Sequence, residues 1–221
     1  ADVGSSDRNI AAYDRLRRAV GRLVEDGTRL HVSLGRGGLV TAQSASALAG
    51  LTLLRRLANM TSAGDKPPIA TSGEAALALL SQDTLLGAAS QYDRLSHAPS
   101  AGRLTGLTPF SYAAGVIDSI SDENVSAMIL LGNFGIEAAL LTEAAERANT
   151  FSLAGSDNLV AQAVLYATAQ EPLIGEEVFA VGAYASPDPV HAASLTVQDI
   201  LRWLIIAAML CGAFLKVAGI L

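Results

Sequence analysis

Along residues 7–25 the apolar side chains Ile10, Tyr13, Leu16, Val20, Leu23 and Val24 recur three and four positions apart, with Arg15, Arg17, Arg18 and Arg22 mostly opposite them. That spacing follows the turn of an α-helix and predicts an amphipathic helix that stops at Gly27. Residues 29–34 then alternate apolar and polar, as a strand does, and run into Gly35-Arg36-Gly37-Gly38. From Thr41 an alanine- and leucine-rich helix extends to about Met60. Strand, glycine turn and helix form one βα unit, and the pattern repeats. Residues 67–71 make a short apolar run. Ser72 is a candidate N-cap, and a helix from Glu74 to about Tyr92 turns Leu77, Leu80, Leu85 and Leu86 inward. The polar stretch 96–106 is a loop with a weak strand at 103–105, and Thr108-Pro109 starts the next helix, which carries Tyr112, Val116 and Ile120. Residues 127–131 read as a buried strand, followed by Gly132-Asn133-Phe134-Gly135 and a helix over 136–148. A strand over 151–154, the turn Gly155-Ser156-Asp157 and a helix over 159–169 complete the series.

Strands alternating with helices at these spacings call for a mainly parallel sheet joined by right-handed crossovers. The expected fold class is therefore α/β, a three-layer Rossmann-like sheet with helices on both faces, occupying residues 1–195. After Pro172 one more helix is expected over 175–184, ended by Ser186-Pro187-Asp188-Pro189.

The tail differs in kind. Thr196-Val197-Gln198-Asp199 resembles a capping box, no charge interrupts 203–215, and Lys216 precedes a last apolar run to Leu221. Leu204, Ile205, Ile206, Leu210, Phe214 and Leu215 cover every helical face, whereas a core helix of a water-soluble protein keeps a polar stripe. Trp203 beside Arg202 suits an interfacial anchor, and Lys216 can snorkel. These features predict a transmembrane helix over 196–221 and make the lipid bilayer an expected partner. Gly212 and Gly219, sharing a face with Ala208, would allow close packing in a homo-oligomer or against other membrane subunits. The chain opens on Ala1 rather than Met, so upstream residues are expected. If a membrane helix precedes them, the arginines near the start favour a cytoplasmic position for the α/β domain.

Composition changes the picture in two ways. A net charge of -6 and a pI near 5.0, with aromatics at 5%, argue against a nucleic-acid partner, which needs clustered cations and stacking surfaces. Cys211 is the only cysteine, so no intramolecular disulfide and no multi-cysteine metal site can form.

In an open α/β sheet, ligands settle beyond the carboxyl ends of the strands. The residues expected there are Gly35, Arg36, Gly37, Gly38, Thr71, Ser72, Gly132, Asn133, Gly155, Ser156 and Asp157, a set suited to a small anionic or phosphorylated ligand. Strand-to-helix turns need the same residue types for conformation and capping alone, and that plainer explanation is the stronger one. The first turn departs from the dinucleotide fingerprint G-x-G-x-x-G, because Val40 stands where the third glycine belongs. Phosphate-loop, nucleophile-elbow and zinc-protease motifs are missing as well. His31 lies in a strand and reads as a satisfied core residue, while His97 and His191 fall in separate contexts. No catalytic residue, metal site or cofactor is assigned.

The pieces Leu30-His31-Val32-Ser33-Leu34-Gly35, the run from Leu131-Gly132-Asn133-Phe134 to Leu141, and Pro172-Leu173-Ile174-Gly175-Glu176-Glu177 resemble an uncharacterised family of bacterial membrane proteins. Its members carry a domain of unknown function with hydrophobic helices, and the resemblance covers about 14–215. It implies a membrane location and no activity. The leading expectation is a membrane-anchored, non-enzymatic structural or assembly subunit. The alternatives are an anchored ligand-binding or sensory domain using the glycine-rich strand ends, and a Rossmann-like enzyme without familiar signatures.

Overall fold

Strand β1 (Arg29–Gly35) buries Leu30, Val32 and Leu34 completely, and His31 and Ser33 between them are equally buried. A strand covered on both faces belongs at the centre of a sheet. In the computed structural model, which describes residues 11–41, 44–61, 64, 66–91, 101–185 and 189–217, β1 pairs in parallel with β2 (Ile69–Ser72) and with β4 (Val125–Asn133). β3 (Gly102–Leu104) lies outside β2, and β5 (Phe151–Ser156) and β6 (Glu171–Leu173) extend the other side. The result is a six-stranded, all-parallel sheet in the order β3-β2-β1-β4-β5-β6. That is the order of the doubly wound dinucleotide-binding sheets.

The helices are α1 (Ala11–Glu25), α2 (Ser44–Thr61), α3 (Ala75–Ser90), α4 (Pro109–Asp122), α5 (Ala138–Arg147), α6 (Leu159–Thr168), α7 (Glu177–Ala185) and α8 (Pro189–Val217). Leu34 faces α2, where a Cβ on Gly50 would run into its side chain. Ser33, next to it, pairs with Tyr112 of α4. Successive strand residues point to opposite sides, so α2 and α4 cover opposite faces of the sheet. α1 and α3 pack beside α2, and α5 and α6 continue the layer begun by α4. One apolar core gathers Tyr112, Val116, Met128, Leu130, Phe134, Leu141 and Leu165 under α4 to α6.

The helix starts are set by identifiable caps. Thr108 accepts from the Ser111 N–H and Ser111 reaches back to the Thr108 N–H, with Pro109 in the first turn. At α3 the cap is Glu74, whose carboxylate accepts from the Leu77 N–H at 2.6 Å. The expected cap Ser72 is instead the last residue of β2, and its hydroxyl accepts from the Glu74 N–H at 3.0 Å. On the same helix Leu80 is exposed rather than core-facing.

Two elements were not anticipated in this form. Pro172, which the sequence placed in no element, sits inside β6, an edge strand where a missing N–H costs little. Arg15 of α1 forms an ion pair with Glu171 and ties that edge down. The second difference is α8, which begins at Pro189 and runs 29 residues, so the expected helix start at Thr196 lies well inside it. Among the described residues no helix is long and apolar enough to cross a membrane, and the transmembrane helix expected over 196–221 is not supported as such. The expected first turn of α1 before Ala11, His97, Ser186-Pro187-Asp188 and Gly219 lie outside the described residues. The chain divides into two compact units, Ile10–Gly182 with the sheet and a second containing α8.

Backbone spacing yields a paired test. A Cβ on Gly50 would lie well inside contact distance of the Leu131 carbonyl, whereas Gly21, on the outer side of α1, has open space around it. Gly50→Ala is expected to destabilise the fold by about 1–3 kcal/mol through overpacking. Gly21→Ala should stabilise it by about 0.5–1 kcal/mol through helix propensity. Urea unfolding of both variants measures the two signs.

Candidate functional site

The strand order reverses between β1 and β4, and the crevice beyond their carboxyl ends is where doubly wound folds place ligands. Near this end the β1–β4 pairing is irregular: Ser33 lies opposite Leu130, but Gly35 lies opposite Asn133, so β4 carries one extra residue. Gly35 has φ 70°, and the Arg36 N–H donates to the Asn133 carbonyl at 2.9 Å. A side chain at Gly35 would collide with that carbonyl as well as demanding a left-handed backbone.

Two carboxylates occupy the crevice. Asp157, just past β5, accepts from the Asn133 side-chain amide at 2.7 Å and from the Ser46 hydroxyl, in the first turn of α2, at 2.8 Å. Glu137, only 1% exposed, accepts from the Gly135 N–H at 2.9 Å and stands 3.5 Å from Nε of Arg36. Arg36 also donates to the Leu107 carbonyl at 3.3 Å, so it bridges the turn after β1 to the segment after β3. Ser156 accepts from the N–H groups of Phe134 and Asn158. The side chains that converge here therefore bind one another.

Of the residues expected at the strand ends, Gly35, Arg36, Ser72, Asn133, Ser156 and Asp157 are brought together around the β1–β4 reversal. Gly37 and Gly38 continue the turn after β1, Gly37 buried and Gly38 partly so. Gly132 and Gly155 are not turn residues: both lie inside strands. A Cβ on Gly132 would strike the Leu34 carbonyl, and one on Gly155 would come within 3.0 Å of Leu173 and Val178. Thr71 likewise lies within β2, with its hydroxyl 2.9 Å from Nε2 of His31. Sequence reasoning missed Ser46, Glu74, Glu137 and Tyr112. An acid two residues beyond Gly135, at the end of a strand, was the available signal for Glu137.

Beneath the crevice the Tyr112 hydroxyl is a hub. It accepts from the Gly35 N–H at 3.2 Å, pairs with the Ser33 hydroxyl and donates to the Thr71 carbonyl at 3.4 Å. Burial raises its pKa, keeping it protonated. Farther along the same face Glu123, at the end of α4, pairs with Arg29 of β1 and Arg103 of β3. Burial opposes ionisation of Glu123, but the two guanidinium groups outweigh it and hold the carboxyl below its usual range. His31 is fully buried, its Nδ1 has no hydrogen-bond partner among the described residues, and burial together with Arg103 lowers its pKa to about 3. It is a neutral core residue at physiological pH. Among the described residues no group of three or more His, Cys, Asp or Glu side chains could hold a metal ion.

His31 makes the fold acid-sensitive. Below about pH 6.5 the unfolded chain binds a proton that the native imidazole refuses until about pH 3, so stability falls with pH across that window. The expected loss by pH 5 is about 2 kcal/mol. Urea unfolding between pH 7 and pH 5 should show this decline for the wild type and a flatter profile for the non-titrating variant His31→Gln.

No curated protein and no solved structure matches the chain. The family comparison does match, over residues 5–221, and on that extent the chain belongs to the family defined by the domain of unknown function DUF6754.

Proposed function

We propose that this protein is a membrane-attached, non-enzymatic module that acts as a structural or assembly subunit, with α8 as its attachment. The observation that carries this reading is the exposure of apolar side chains around α8. Leu204, Ile205, Met209, Leu210 and Phe214 are each more than half exposed. A helix that is apolar all round is not accommodated in water and needs a lipid or protein environment. Arg202 and Trp203 near one end and Lys216 at the other suit the two boundaries of an apolar layer. The described stretch 200–216 rises about 26 Å, short of the roughly 30 Å hydrocarbon thickness, so a bilayer holding it would thin locally or draw Lys216 toward the headgroups. Gly212 has open space around it and would let a second helix approach, from another copy or from a partner subunit.

The state of the crevice favours assembly over ligand recognition. Asp157 is hydrogen-bonded to Ser46 and Asn133, and Glu137 holds Arg36 in an ion pair at 3.5 Å, so although Nε of Arg36 has no hydrogen-bond partner among the described residues, an anionic ligand would compete with Glu137 for the guanidinium.

Flotation with phosphatidylcholine vesicles tests the attachment. The full chain is expected to float with the vesicles, and Leu204→Glu combined with Leu210→Glu should reduce the floating fraction at least tenfold while leaving the circular dichroism of the α/β unit unchanged. A wild-type chain that stays with the unbound fraction, or a double variant that floats as well as the wild type, overturns the reading.

A further inference from the structure

The charges of this acidic chain are unevenly distributed. Helices α1 and α2 together carry six arginines, Arg15, Arg17, Arg18, Arg22, Arg55 and Arg56, against two carboxylates, Asp14 and Glu25, in a chain of net charge -6. The two helices pack side by side on one face of the sheet. Val24, in the last turn of α1, lies near Gly64, just beyond the end of α2, since a Cβ on Gly64 would stand 3.7 Å from it. The C-terminal ends of the two helices are therefore level. At 1.5 Å per residue, Arg18 and Arg22 lie about 9 and 3 Å back from Val24, and Arg55 and Arg56 about 8–9 Å back from Thr61, the last residue of α2. These four side chains are exposed. Arg15 is committed to Glu171 and contributes less.

We infer that the outer surface of α1 and α2 is a docking face for an anionic lipid surface, centred on Arg18, Arg22, Arg55 and Arg56. The choice of lipid over an acidic protein rests on the attachment proposed for α8. At a bilayer, exposed arginines that come within a Debye length of anionic headgroups act on a negative surface potential. Each arginine near an anionic membrane raises partitioning roughly fivefold at low salt, so four acting together outweigh the repulsion of a net acidic chain only if that face turns toward the lipid. The face would thus set the orientation of the α/β unit as well as its affinity.

The experiment compares full-length protein on vesicles of phosphatidylcholine alone and of phosphatidylcholine with about 30% phosphatidylglycerol. The expected result is at least tenfold tighter partitioning onto the anionic vesicles, abolished by 0.5 M salt. R18Q/R22Q/R55Q/R56Q should lose that preference and keep its binding to neutral vesicles, while R18K/R22K/R55K/R56K should retain both, because a diffuse surface potential needs charge and not the guanidinium fork. Equal partitioning of the wild type on the two vesicle types overturns this inference and leaves the α8 attachment standing. Binding to anionic vesicles alone, dependent on the four arginines, upholds this face and removes α8 as an anchor. Binding to neither overturns both, and capture of an acidic protein through the same arginines in the absence of vesicle binding assigns the face to a protein.

Discussion

Everything in the sheet-bearing unit depends on how closely β1 and β4 can approach at their carboxyl ends. The two strands join the halves of the sheet, and where they meet there is no room for a side chain at Gly35 or Gly132, each of which presses its α-carbon against the opposite backbone. The extra residue of β4 follows from that approach. It sets Asn133 opposite Gly35, with its side-chain amide donating to Asp157 and its carbonyl accepting from the Arg36 N–H. The crevice chemistry is thus a consequence of backbone packing at one point in the sheet.

The same point connects the two helical layers. Gly35 donates to Tyr112, whose hydroxyl also meets β1 at Ser33 and β2 at Thr71, so α4 is fastened to three positions on adjacent strands through one buried oxygen. Buried polar groups that are mutually satisfied fix a geometry more narrowly than apolar packing does. On the opposite face Gly50 lets α2 close onto Leu34 and the Leu131 carbonyl, which brings Ser46 to Asp157. Both layers therefore meet the crevice through glycine contacts made deeper in the sheet.

The α/β class and the alternation of elements were legible because the alternating run that ends at Gly35, and the short apolar runs of β2, β4 and β5, each give way to helical spacing. β6 was hidden: three residues with a proline at the centre carry no periodic signal, and what makes them a strand is pairing with β5 and the hold of Arg15 on Glu171. Glycine was the most ambiguous residue. Gly35 and Gly132 look alike in a sequence, yet one supplies a left-handed backbone and the other a missing Cβ. The partners of the crevice residues could not be read either, because Ser46 and Asp157, or Arg36 and Glu137, meet only once crossover helices have been laid down. The exposed apolar surface of α8 was visible in composition, but its start was not, since Pro189 reads as a stop until it is seen as a first-turn residue.

The Asp157 carboxylate deserves to be considered as a ligand in its own right. It rests against the first turn of α2, the kind of position at which doubly wound folds receive the phosphate of a diffusible cofactor. A group tethered beside its own binding position competes at an effective concentration of roughly millimolar or above. A free anion recognised by the Ser46 hydroxyl and the Asn133 amide would have to displace a carboxylate that the fold itself supplies.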